Sequence, residues 1–165
     1  MSDIKINLGC DIWHISNFIN IDINPKVKPD LVLNALDIPK HFENNTVSFI
    51  YAGHFFEHLE IEESLEVMEI CFKILKPHGC LLSIVPDWRK TAELETDDAA
   101  DKIVMANGDH KILMSSERLS KMLLKSGFKL VQEIHDLNQV PYLLVPDVNN
   151  PKPELWQTAF ISLKI

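Results

Sequence analysis

Two groups of residues in this chain have the types and spacing to do chemistry. The first is divided between two short apolar segments near the start. Ile4-Lys5-Ile6-Asn7-Leu8 closes on Gly9, and Phe18-Ile19-Asn20-Ile21 closes on Asp22. A glycine after one strand lets a ligand come close to the backbone. A carboxylate after the next can accept hydrogen bonds from both hydroxyls of a ribose. Ligands of open parallel sheets sit beyond the carboxyl ends of the strands, so the pair reads as half of a nucleoside site. The plainer alternative is a strand–turn–strand with a surface aspartate. The second group is His54-Phe55-Phe56-Glu57-His58. On a helix, His54 and His58 would share one face, as two zinc ligands require.

Softer candidates lie further along. Asp87 follows an apolar run and reads either as a crevice carboxylate or as a turn residue after Pro86. His110 follows Gly108-Asp109 and precedes an amphipathic segment. Trp13 and Trp88 read as pocket wall or core. Cys10 has nothing basic beside it in sequence and reads as a small filler rather than a nucleophile.

The elements that must position these groups follow from pattern. Residues 46–52 are β-branched and aromatic, the composition of a buried strand, and Gly53 ends it. From Leu59 to Leu75 the apolar residues recur at helical spacing, with acidic residues early and Lys73 and Lys76 late, matching a helix dipole. Pro77 and Gly79 are expected to stop that helix, and residues 80–85 form a second buried strand. Ser115-Ser116-Glu117 caps another helix through Lys125. Residues 30–34, 128–134 and 156–165 read as strands, 35–45 as a loop or single turn, and 88–109 as a lid or a short irregular helix. Only about eight residues separate the first two strands, whereas a parallel crossover normally takes roughly a dozen. At most one helical turn fits there.

Composition narrows the function classes. A chain of 165 residues, 46% of them hydrophobic, supports one complete core. A net charge of −8 disfavours phosphate backbones and anionic lipid, so neither nucleic acid nor a membrane surface is an expected partner. No run approaches the length of a membrane span. The opening Met-Ser-Asp-Ile-Lys lacks the pattern of a signal peptide. Cys10, Cys71 and Cys80 form no close pair and no metal spacing, which suits a reducing cytoplasm.

Taken in order, several of these stretches carry a family likeness. They are Asn7-Leu8-Gly9-Cys10, Phe18-Ile19-Asn20-Ile21-Asp22, Asp37-Ile38-Pro39 and the run from Ser48 through His54-Phe55-Phe56-Glu57-His58-Leu59. Leu75-Lys76-Pro77-His78-Gly79-Cys80-Leu81, Val85-Pro86-Asp87, Asp109-His110-Lys111 and Leu123-Leu124-Lys125-Ser126-Gly127-Phe128 complete the set. In these the chain resembles the small class I S-adenosylmethionine-dependent methyltransferases, in particular the bacterial type 11-like group. The likeness implies one α/β domain over residues 1–165, Rossmann-like, with a mostly parallel seven-stranded sheet of order 3-2-1-4-5-7-6. An antiparallel pair would close one edge, with helices on both faces. It implies S-adenosylmethionine as cofactor. The backbone of Leu8, Gly9, Cys10 and Asp11 would hold the methionine part, Asp22 the ribose hydroxyls, and Asp37 and Ile38 the adenine. Gly53 and His54 would lie near the sulfonium. His110 would stand in the acceptor pocket, and His54 or His110 would act as general base toward a hydroxyl. The expected acceptor is a small molecule, sugar or lipid precursor, on a side left open by the absence of an N-terminal cap.

The family usually has Gly-Cys-Gly where this chain has Gly9-Cys10-Asp11, and a second glycine at Asn17. Aspartate and asparagine tolerate left-handed geometry best after glycine, so the loop can keep its shape. Asp11 does set a carboxylate near the cofactor's own, a repulsion of about 1 kcal/mol when solvated. A degenerate relative that binds or scaffolds without catalysis is therefore an alternative. A zinc hydrolase is another, because His54-x-x-Glu57-His58 fits the H-x-x-E-H pattern of inverted zinc peptidases. That motif directly follows a strand and Gly53, so His54 is expected in a loop, His58 as a structural histidine, and no metal site is assigned. A nicotinamide dehydrogenase would need the full G-x-G-x-x-G fingerprint, which is absent.

Overall fold

β-Branched and aliphatic residues dominate the segments that pair into the sheet. In the computed structural model, which describes residues 3–94, 105–135 and 156–165, these are β1 (Ile4–Leu8), β2 (Ile19–Asp22), β3 (Leu31–Val32) and β4 (Val47–Gly53), followed by β5 (Leu75–Pro86), β6 (Leu130–Ile134) and β7 (Gln157–Leu163). They form one seven-stranded sheet of order β3-β2-β1-β4-β5-β7-β6. The first five run parallel, with Leu8 opposite Ile21 and Gly53 opposite Ile84. β7 runs antiparallel between β5 and β6. The expected order and the antiparallel edge pair are both present.

Helices α1 (Ile61–Ile74), α2 (Trp88–Leu94) and α3 (Ser116–Lys125) accompany the sheet. α1 begins with Glu62 and Glu63 and carries Lys73 in its last turn, each sign placed against the opposite end of the macrodipole. It buries Val67, Met68, Cys71 and Ile74. The Ser115 hydroxyl caps α3 by accepting from the Arg118 N–H at 3.2 Å, and the helix buries Leu119, Met122 and Leu123. These side chains share one large core with Ile6, Leu8, Ile21, Ile50, Leu81 and Val85. A smaller cluster gathers Tyr51, Leu82, Ile84 and Ala159 with Ile15 and Phe18 from the loop between β1 and β2. Among the described residues no helix is long and apolar enough to cross a membrane.

One local expectation changes. Pro77 and Gly79 do not separate helix from strand: α1 ends at Ile74 and β5 starts at Leu75. The register against β4 jumps from Val47–Leu75 to Phe49–Cys80, so residues 76–79 bulge outward and absorb both helix breakers. His78 turns left-handed there (φ 64°), and its N–H donates to the Lys164 carbonyl at 2.6 Å. Lys164 Nζ in turn donates to the Asn45 side chain and to the carbonyls of Lys73 and Leu75. Residues 35–45 contain a 3-10 turn, Ala35–Lys40, whose first N–H groups are capped by Asn34.

The crossover from β1 to β2, where at most one helical turn fits, contains no helix. A polar hub holds it instead. Asn20, buried in β2, accepts from the Ile15 N–H at 2.8 Å and from Asn7 Nδ2 at 2.9 Å. Its own amide donates to the Ile15 and Phe18 carbonyls and to Asp30 Oδ2. Asn7 also donates to the Trp13 carbonyl at 2.8 Å. The hydrogen bonds from the Asn20 backbone and side chain hold the Asp30 carboxyl below the usual aspartate range. With its buried polar groups satisfied by side chains, the loop can do without a helical turn.

Candidate active site

The carboxyl ends of β1, β2 and β4 open into a cleft of about 850 Å³, within the range typical of small-molecule sites. Leu8, Gly9, Asp11, Asp22, Gly53 and His54 all line it. Gly9 is left-handed (φ 65°), and a Cβ there would stand 2.4 Å from the Phe55 ring. Conformation and close approach therefore both demand glycine. Asp11 (φ 42°) and Asn17 (φ 66°) take left-handed geometry at the two positions where glycine would be usual. Asp22 sits at the tip of β2, accepting from the Asp11 N–H at 2.9 Å through Oδ2 and from the Asn24 N–H at 2.8 Å through Oδ1. A carboxylate oxygen has two acceptor sites, so each retains one for a ligand.

Three of the residues expected around the cofactor do not line the cleft with their side chains. Cys10 is buried, and that burial, with the charge of Asp22 adding to it, pushes its thiol up to about 12, as suits an inert filler. Ile38 faces the core, and Asp37 pairs with Lys40 at 2.6 Å. Neither lines the cleft; Leu33, Asn34 and Ala35 do, because Asn34 starts the 3-10 turn and carries 37 and 38 past the opening. Asp87 is not a crevice residue either. Its Oδ1 accepts from the Arg89 N–H at 3.0 Å and its Oδ2 from the Ser116 N–H at 2.7 Å, so one buried carboxylate caps both α2 and α3. Trp13 lines the cleft and Trp88 does not.

The opposite wall is built by the segment after β4 and by residues 109–111. His54 is held left-handed (φ 53°), with its N–H donating to the Ile84 carbonyl at 2.8 Å. It lies outside any helix, so His54 and His58 do not form the helical i, i+4 pair that the zinc-peptidase pattern needs. Between them lies Glu57, only 1% exposed. His54 Nδ1 is 3.2 Å and His110 Nε2 4.0 Å from Glu57 Oε1. His58 Nδ1 is 3.1 Å from Asp109 Oδ2, and its ring meets that of His110 edge-on at 4.7 Å. The Lys111 N–H donates to the Glu57 carbonyl at 2.8 Å, which ties residues 109–111 to the 3-10 turn Phe56–His58. Glu57 stands out in the sequence only as the acid of the H-x-x-E-H pattern; its burial in the wall depends on contact with residues 109–111 and leaves no local signal.

Among the described residues, Asp11, Asp22, Glu63 and Asp109 line the cleft against a single lysine, Lys111. Such a wall favours a ligand carrying positive charge.

Against known proteins, no family model matches the chain, and no curated sequence does. Solved structures do match. A SAM-dependent methyltransferase from Archaeoglobus fulgidus superposes with a TM-score of 0.73 at 15% identity, over 98% of this chain and 86% of that one. A SAM-dependent methyltransferase from Methanosarcina mazei gives 0.64 at 15% identity, over 99% and 92%. The Haemonchus contortus phosphoethanolamine N-methyltransferase 2, solved in complex with S-adenosyl-L-methionine, gives 0.64 at 11% identity, over 98% of this chain and 48% of that one. Likeness at this level of identity speaks for architecture: the chain has the class I fold of S-adenosylmethionine-dependent methyltransferases.

Proposed function

We propose that the chain binds S-adenosylmethionine in the cleft at the tips of β1, β2 and β4 and transfers its methyl group to a small-molecule acceptor. The observation that carries this reading is the pairing of Gly9 with Asp22 at adjacent strand tips, inside a cleft of nucleoside size. Asp22 has a free acceptor site on each oxygen for the two ribose hydroxyls. The backbone of Gly9 and Asp11 borders the methionine end, and Asn34 and Ala35 border the adenine end. Bound there, the cofactor supplies an electrophilic methyl on a cationic sulfur, a charge that suits the acidic wall. The protein's task is then to hold the acceptor in line and exclude water.

For a hydroxyl acceptor the base is His54. Its Nδ1 side is turned toward buried Glu57, an arrangement that favours the tautomer with a proton on Nδ1 and a lone pair on Nε2. His110 stands in the same wall as the second imidazole. One observation favours a binding protein without catalysis: Asp11 brings a carboxylate to the methionine end, and Phe55 packs against Gly9. Calorimetric titration of the full chain with S-adenosylhomocysteine separates the outcomes. One site with micromolar affinity supports the cofactor reading. A folded chain that gives no heat and no thermal shift overturns it.

A further inference from the structure

Both carboxylate oxygens of Glu57 are buried; Oε1 has His54 Nδ1 at 3.2 Å, but neither oxygen accepts a well-formed hydrogen bond among the described residues. An ionised carboxylate in that setting needs an opposite charge close by. Its neighbours are imidazoles. One ligand atom each from Glu57, His58 and His110 falls within 4.8 Å of the other two. The geometry points to a metal site: Glu57, His58 and His110 bind one divalent transition-metal ion, best matched by zinc, with an open coordination position toward the cleft.

Several observations converge on this reading. Two imidazole nitrogens and one carboxylate oxygen make the donor set of a catalytic zinc site, in which three protein ligands leave the fourth place to water or substrate. Calcium and magnesium prefer oxygen-only shells. Asp109 Oδ2, 3.1 Å from His58 Nδ1, is placed as the outer carboxylate that orients a ligating histidine and leaves Nε2 to the metal. The Lys111 N–H, on the Glu57 carbonyl, fixes the two segments that contribute ligands. Tetrahedral zinc with bonds of about 2.1 Å sets ligands roughly 3.4 Å apart, so the trio must close by about an ångström. His58, a third exposed at the rim, is the member free to swing. The ligand set differs from the one suggested by the H-x-x-E-H spacing, since His110, 52 residues on from His58, takes the place of His54.

His58, Asp109, His110 and Lys111 all border the cleft, so the ion's open position would face an acceptor there. If the methyl-transfer reading holds, the ion selects acceptors with a hydroxyl able to bind it, and lowers that hydroxyl's pKa. Metal binding itself does not depend on that reading.

The test uses the full chain, stripped with chelator, dialysed against zinc chloride near neutral pH, and assayed for metal content. One zinc per chain is expected. His58→Gln, a rim substitution checked for folding by circular dichroism, should weaken zinc binding at least 100-fold, and Asp109→Asn roughly 10- to 100-fold. Cobalt in place of zinc should show visible bands without thiolate charge transfer. Failure to take up zinc, undiminished uptake in folded His58→Gln, or a cobalt–thiolate band each overturns the site. A parallel titration with S-adenosylhomocysteine judges the cofactor reading separately, since either result can stand without the other.

Discussion

Asp22→Asn gives the sharpest test of the cofactor reading, because the change keeps the shape of the side chain while removing its charge and one acceptor oxygen. In the parent, Oδ2 and Oδ1 accept from the Asp11 and Asn24 N–H groups at 2.9 and 2.8 Å. An amide can face only one of those donors with its oxygen. One backbone hydrogen bond is lost, a cost of about 1 kcal/mol, or roughly 2–4 °C in Tm. Binding should suffer more. Two ribose hydroxyls on a carboxylate contribute about 1.5–3 kcal/mol each, whereas an amide oxygen keeps one neutral bond of about 1 kcal/mol. The difference is about 2–5 kcal/mol, a rise of roughly 30- to 5,000-fold in the Kd of S-adenosylhomocysteine. Calorimetry reads the affinity and a thermal melt reads the fold. If Asp22→Asn binds the nucleoside within twofold of the parent, Asp22 does not hold the ribose. A melt lowered by more than about 8 °C would instead make Asp22 chiefly a structural residue.

Further outcomes follow from other contacts. Asp87→Ala leaves the Arg89 N–H at the start of α2 and the Ser116 N–H at the start of α3 without their acceptor, at a cost of about 2–4 kcal/mol, and should lower Tm by roughly 5–15 °C without changing nucleoside affinity. A fall of under 2 °C would refute the double cap. Asp11→Gly removes the carboxylate from the methionine end and suits the left-handed backbone. It should tighten S-adenosylhomocysteine binding about fivefold at low ionic strength, a gain that fades as salt is added. Glu133 is partly buried, which opposes ionisation, but hydrogen bonds from Ser116 and Thr158 and the charge of Lys90 outweigh this and hold its carboxyl below the usual glutamate range. Its contribution to stability is fully present above the ordinary value of 4.5 and is lost as pH falls through the lower folded value. Denaturation at a series of acidic pH values should therefore show a shallower loss for Glu133→Gln than for the parent.

Patterns local to the chain were legible. The β-branched run before Gly53 becomes β4, Ser115 caps α3, and the ordered family stretches anticipate the strand order. Features that depend on distant partners were not. Pro77 and Gly79 read as a stop signal, and only pairing with β4 and the tail around Lys164 shows that β5 passes through them as a bulge. Nothing near Asn20 in sequence announces that it will meet Asn7 and Asp30 and make a crossover helix unnecessary. At the site, Gly9 and Asp22 were readable because the strands that carry them are local. Asp37 and Ile38 do not line the cleft, because a 3-10 turn, with no strong pattern, decides which residues face the opening. Glu57 was legible only as the acid of the H-x-x-E-H pattern and not as a buried wall residue, and Asp87, readable either as a crevice carboxylate or as a turn residue, caps helices.

The helix-free passage from β1 to β2 serves two ends at once. Gly9, Asp11 and Trp13 border the cleft, while Ile15 and Phe18 shield Tyr51 and Leu82 on the sheet. Whatever loosens that segment uncovers oily surface and dismantles the ligand wall together, so the two losses should share one opening equilibrium. A tightly held nucleoside would then act as a clasp on the domain: amides under Phe18 would exchange with solvent more slowly whenever the cleft is filled, and proteases would find the segment harder to cut.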